Sequence, residues 1–133
     1  MPLPETIAKE TDIRPPIAIG HVRLNVSHVP EASEFFVKLG LRQIVQSEQL
    51  AVLELRGGTH LVLRTTSEAI TPGTNAPFDL MVDDVFATRD TFKEWGLTVS
   101  EIEIGKIHSS FTLTGPDSYL LTVTSSHTGG RAV

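Results

Sequence analysis

Several residues in this sequence are of types, and at spacings, that could do chemistry together. His21, Arg23 and Asn25 stand two apart, and so do His60, Val62 and Arg64. His108 is followed at the same interval by Ser110 and Thr112, and Thr122 lies between Leu120 and Thr124 at that interval too. An interval of two puts side chains on one face of a β-strand, so each set is a candidate polar face. Arginines bind carboxylate or phosphate through paired hydrogen bonds. Histidines can hydrogen-bond a ligand, and three neutral imidazoles with an open fourth position suit zinc or iron. His21, His60 and His108 are the residues such a site would use. Asp83 and Asp84 look like an acid pair, but at the start of a helical pattern capping is the better account. His28 and His127 fall in a turn and near the C-terminal tail, where surface positions are expected.

Composition narrows the choices. There is no cysteine, which removes disulfides, thiolate zinc sites and cysteine nucleophiles. The formal net charge of −5 and the lack of any Lys/Arg run argue against nucleic acid and anionic membranes as partners. Apolar runs are far too short to span a bilayer, and the acidic N-terminus does not read as a secretory signal. With 133 residues, 40% of them hydrophobic and 20% charged, a single soluble, cytoplasmic domain is expected. No phosphate loop, dinucleotide fingerprint or nucleophile elbow is present.

The elements that must position these residues come in two copies. Residues 21–41, HVRLNVSHVPEASEFFVKLGL, align without a gap on residues 77–97, PFDLMVDDVFATRDTFKEWGL, at an offset of 56. Leu24/Leu80, Val26/Val82, Val29/Val85, Phe36/Phe92, Gly40/Gly96 and Leu41/Leu97 are identical. Each copy reads as an alternating strand, a turn, an amphipathic helix and a Gly-Leu stop. Val22, Leu24 and Val26 share one strand face, and Ala32, Phe35, Phe36 and Leu39 recur at helical spacing. Pro30 suits the first turn, and Gly40 supplies the left-handed cap. In the second copy Asp83 or Asp84 caps a helix carrying Phe86, Thr88, Arg89 and Phe92, closed by Trp95-Gly96. Trp95 is expected in the core or at a dimer contact.

Further strands are expected over residues 42–46, 50–56 and 59–65, with a Gly57-Gly58 turn between the last two. Their counterparts are 97–104, 107–114 and 119–125, with Gly115-Pro-Asp-Ser118 as the turn. In residues 107–114, Ile107, Phe111 and Leu113 form the expected apolar face. The fold class is α+β, with two βαβββ modules at 17–70 and 77–126. Residues 1–16, with four prolines, read as an extended arm, and 127–133 as a tail.

A tandem βαβββ with these motifs resembles the vicinal oxygen chelate superfamily, which includes glyoxalase I, bleomycin and fosfomycin resistance proteins and extradiol dioxygenases. The resemblance rests on His21-Val-Arg-Leu-Asn-Val, Phe35-Phe36-Val-Lys-Leu-Gly-Leu41, Val82-Asp-Asp-Val85 and Gly115-Pro-Asp-Ser118. The last is similar to the family's D-P-D-G-N turn with its glycine and asparagine replaced. It covers nearly all of residues 17–126. It implies two modules forming a half-open mixed β-barrel around a cavity, with the helices outside. It also implies a divalent metal held from the first, fourth, fifth and eighth strands. Carried over one at a time, those positions fall on His21, Val62, Pro77 and Thr122. Valine and proline offer no side-chain ligand and a neutral threonine is a poor one, so only His21 is retained and no cofactor is expected.

On the same resemblance, the cavity wall is made by His21, Arg23, Asn25, His60, Arg64, His108 and Thr122, with Asp79, Met81 and further hydroxyls beside them. Taken singly, each of these fits a solvated sheet face as well. As a set they suit a pocket for a polar or anionic small molecule. Three functions follow. The first is a metal-free binding protein of the bleomycin-resistance type that sequesters such a molecule between the modules. The second is a divergent metal-dependent lyase, isomerase or dioxygenase that uses His21 with new partners. The third is a non-catalytic dimeric interaction domain. A homodimer is expected on the frequency of two-fold assemblies, and the linker around residues 71–77 leaves open whether modules pair within or between chains.

Overall fold

Strand β1 (His21–Val26) shows why its sequence alternates: Leu24 and Val26 are buried, and His21, Arg23 and Asn25 are exposed. The description comes from a computed structural model and covers residues 13–126 and 133. His127 and most of the N-terminal arm and C-terminal tail lie outside the described residues. After β1 comes helix α1 (Val29–Leu39), with Pro30 in its first turn. Gly40 ends it at φ 114°, a left-handed conformation that glycine adopts without a Cβ clash. The N–H of Leu41 then reaches back to Phe36 O at 3.1 Å. Strands β2 (Arg42–Gln46), β3 (Leu50–Glu54) and β4 (His60–Thr65) complete the module. Between β3 and β4 the turn Arg56–Gly58 holds Gly57 and Gly58 at φ 82° and 86°.

The second module repeats the plan with β5 (Leu80–Val82), α2 (Val85–Glu94), β6 (Glu103–Ile104), β7 (Ser109–Thr114) and β8 (Leu120–Ser125). The two mixed sheets have orders β1-β4-β3-β2 and β5-β8-β7-β6, in each case with the first and last strands of the module parallel. This is α+β with two βαβββ modules, and the two sheets form no closed barrel among the described residues. Their helix-side faces share one apolar core, with Phe36, Leu53, Leu61 and Leu63 from the first module and Phe92, Phe111, Leu113 and Leu121 from the second. Among the described residues no helix is long and apolar enough to cross a membrane.

The second module departs from its expected strands at three places. Pro77 has no N–H to give a ladder, and regular pairing in β5 begins only at Leu80. Before it, Asn75 makes an isolated parallel bridge to Leu120. The strand expected over 97–104 shrinks to Glu103–Ile104 plus a single bridge from Val99 to Leu113. Ser100 explains the gap: its carbonyl accepts from Arg89 Nε at 2.6 Å, and its side-chain Oγ accepts the Thr112 N–H instead. The third departure is at Ile107, which does not join Phe111 and Leu113 on the apolar face. Gly105 N–H bonds His108 O at 2.9 Å, so Ile107 lies in a tight turn, 72% exposed. Phe86 also leaves the core stripe of its helix and is 52% exposed, because Val85 and Phe92 take the buried face.

The modules dock by reciprocal contacts. Ser27, at the end of β1, gives its backbone N–H to Asp117 Oδ2 at 2.8 Å and its hydroxyl to Asp117 Oδ1. Asp83 stands 56 residues after Ser27, at the same place in the second module, and pairs with Arg56 at 2.9 Å. Each module thus sets its 3-10 turn against the strand–helix junction of the other.

Candidate functional site

Pairing between β1 and β4 brings five of the expected residues onto one sheet face. His21 stands opposite His60, Arg23 opposite Val62 and Asn25 opposite Arg64. The imidazoles of His21 and His60 stack with centroids 5.8 Å apart. On β3, Glu54 lies opposite His60, and it accepts a hydrogen bond from Arg42 Nε at 2.7 Å. Val62, between the two polar rows, is 8% exposed. The helix-facing residues Leu61 and Leu63 are fully buried, which fixes the register and so the outward direction of this set.

Two of the charges on this face have no ion pair. Arg42, Arg56 and Arg89 each pair with a carboxylate, while among the described residues Arg23 and Arg64 have no ion pair. In a chain of net charge −5, two exposed guanidinium groups without acids, on adjacent strands, form a local positive field.

The other two expected residues belong to the second module. Thr122 is half-buried on β8 opposite Thr112. His108, half-buried in the turn before β7, has Nδ1 2.7 Å from Ser125 O. Three histidines therefore do not gather: two share the first sheet and the third is tied to the end of β8. Among the described residues no three His, Cys, Asp or Glu side chains converge on a point that could hold a metal. The metal that the family resemblance implies is not matched by the side chains at the corresponding positions either. Val62 and Pro77 have no side-chain donor, and Thr122 offers a neutral hydroxyl. The residues at these positions do not fit the group.

A cleft of about 750 Å³ lies between the modules, in a different place. Its walls include Val22, Leu39, Leu41, Leu55, Phe78, Leu80, Val82, Phe92 and Val123, with Glu54, Arg56 and Asp79 also lining it. None of the seven polar residues lines it. In the sequence these apolar residues are indistinguishable from core, since periodicity shows which face of an element is apolar and not what covers it. A smaller depression of about 290 Å³ lies around Ser27, His28, Phe35 and Asp117. Tyr119 is buried near it, with its hydroxyl 2.7 Å from Asn25 O. Burial, followed by the Asp117 carboxylate, raises the pKa of that hydroxyl.

No family model matches the sequence, and no curated protein does. Solved structures match it in shape. A lactoylglutathione lyase from Agrobacterium tumefaciens superposes with a TM-score of 0.71 over 88% of this chain and 99% of that one, at 19% identity. A glyoxalase/bleomycin resistance protein/dioxygenase from Alicyclobacillus acidocaldarius gives 0.66 over 85% and 94%, at 20% identity. An oxidase gives 0.67 over 83% and 94%, at 19% identity. The chain has the fold of the glyoxalase, bleomycin resistance and dioxygenase proteins, that of the vicinal oxygen chelate superfamily. Lyase and oxidase stand on the same architecture, so the reaction is not carried by the fold.

Proposed function

We propose that this protein is a binding protein of the glyoxalase/bleomycin-resistance fold that holds a small anionic molecule without a metal. The observation that carries the reading is the pair Arg23 and Arg64: two exposed guanidinium groups on neighbouring strands, unpaired among the described residues. Asn25, directly across from Arg64, and the stacked His21 and His60 add hydrogen-bonding groups on the same face. A carboxylate or phosphate accepts two hydrogen bonds from one guanidinium, which gives orientation as well as charge. His108 and Thr122 are assigned to the ligand only if the second sheet's polar face is brought over the first. We extend the reading to a homodimer, in which a second copy covers this open face.

The test is a thermal-melt screen with carboxylates and organic phosphates, on protein whose metal content has been measured. A ligand that binds only the folded state raises the melting temperature according to its concentration over Kd. Stabilisation by an anion, lost in Arg23→Ala/Arg64→Ala, supports the reading. Near-stoichiometric metal, with a melting shift on adding nickel, manganese, zinc or iron(II), would overturn it in favour of a divergent metalloenzyme. Unchanged melts with every anion would leave the interaction-domain reading.

A further inference from the structure

We infer that the inter-module cleft is a second binding site, separate from the arginine face, for an apolar molecule carrying one positive charge. Its volume, about 750 Å³, falls within the roughly 300–1,000 Å³ of ordinary small-molecule pockets. Phe78, Phe92, Leu39, Leu41, Leu80 and Val123 give it an apolar lining that would exclude a strongly hydrated ligand.

The charged groups at the cleft decide the sign. Glu54 is held by Arg42, and Arg56 by Asp83. Asp79, between Phe78 and Leu80 on the approach to the edge strand β5, has no ion pair or hydrogen bond among the described residues. Among the described side chains lining the cleft, Asp79 is therefore an acid without an ion pair. A second feature has the same sign. Leu39 and Gly40 place the carbonyl end of α1 in the cleft wall, and that end of a helix carries a partial negative charge. Lys38, the basic residue of its last turn, instead donates from Nζ to Trp95 O at 3.2 Å, at the end of α2. An ammonium group beside Asp79, with its apolar body among the leucines, satisfies each of these features. A carboxylate there would face repulsion.

The experiment uses three probes of one shape, 4-phenylbutylamine, 4-phenylbutanol and 4-phenylbutyrate, titrated calorimetrically into the full chain. The amine binds more tightly than the alcohol by about two- to fivefold, the range for an exposed ion pair. Asp79→Asn, an exposed change that leaves the core intact, removes that preference and keeps the alcohol's affinity. Amide shift changes on adding the amine centre on Leu41, Leu80 and Val82. Equal binding of amine and alcohol, no effect of Asp79→Asn, or shifts centred on Arg23, Asn25 and Arg64 would each overturn the inference. The arginine-face reading is read through other residues and another charge, so the two fail separately.

Discussion

Tyr119 donates its hydroxyl to the carbonyl of Asn25 across 2.7 Å, a hydrogen bond between residues 94 apart in the chain. It joins the start of β8 in one module to the end of β1 in the other, beside the Ser27–Asp117 contact. The ring is 8% exposed and belongs to the shared core. Tyr119→Phe keeps the apolar contacts and removes the bond, so a loss of about 1 kcal/mol is expected in urea unfolding. A larger loss would show that the bond also holds the modules in register.

The same hydroxyl has a signature in alkaline solution. Burial first, and then Asp117, raise its pKa above the ordinary 10.0. On raising the pH, the unfolded chain ionises before the folded one, which shifts the balance toward unfolding. The stabilisation is therefore complete below about pH 10 and is lost as pH rises through the folded value. With one tyrosine in the chain, tyrosinate absorbance reports this group alone. Its midpoint in folded protein should lie above that in urea; coincident midpoints would refute the assignment.

The two docking turns are equivalent by topology but not in strength. Asp117 accepts both the N–H and the hydroxyl of Ser27 and holds φ 54°, where aspartate is better tolerated than most residues. Arg56 and Asp83 form an exposed pair, with side chains 50% and 79% accessible. Asp117→Ala should cost about 1–3 kcal/mol, and Arg56→Ala about 0–1 kcal/mol. Equal losses in denaturant titrations would contradict this ranking.

The helix starts differ in the opposite sense. Asp84 caps α2, accepting the Ala87 N–H at 2.9 Å, while His28 at the start of α1 makes no side-chain cap. Asp84→Ala should destabilise by about 1 kcal/mol, and His28→Ser should stabilise by about 0.5 kcal/mol or more. Thermal melts of the two variants decide it, and a drop in both would show that His28 contributes through its contact with Ser27 Oγ at 3.0 Å.

Arg23 and Arg64 carry the functional reading. Each alanine substitution should weaken binding of a responsive anion by about tenfold, if it removes a charge-assisted hydrogen bond of roughly 1.5 kcal/mol. Both sit on an exposed face, so folding should be unaffected. Isothermal titration with parallel melts separates the two effects, and unchanged affinity in both variants would remove the arginines from the site.

Local signals explain why so much of the fold was legible. Gly40 and Gly96 end their helices at positive φ, Asp84 caps α2, and the alternation from His21 to Val26 appears as expected. Each rests on the preferences of a few adjacent residues, and so does the duplicated βαβββ plan. Expectations failed at Ser100, whose carbonyl is held by Arg89 on the helix, and at Ile107, where a local turn from Gly105 to His108 takes the place of the expected strand start.

What the sequence determined alone was the order of elements, the two-module plan and which side of each strand is polar, because periodicity is a local property of the chain. Only the tertiary structure decided which polar faces meet. It set His21 against His60 through β1–β4 pairing and tied His108 to the end of β8. It also left an apolar cleft beside Asp79, built from residues that a linear reading assigns to the core. The reason is that the gap between two modules is set by contacts between distant residues, such as Ser27 with Asp117, and no local pattern of side chains records that distance.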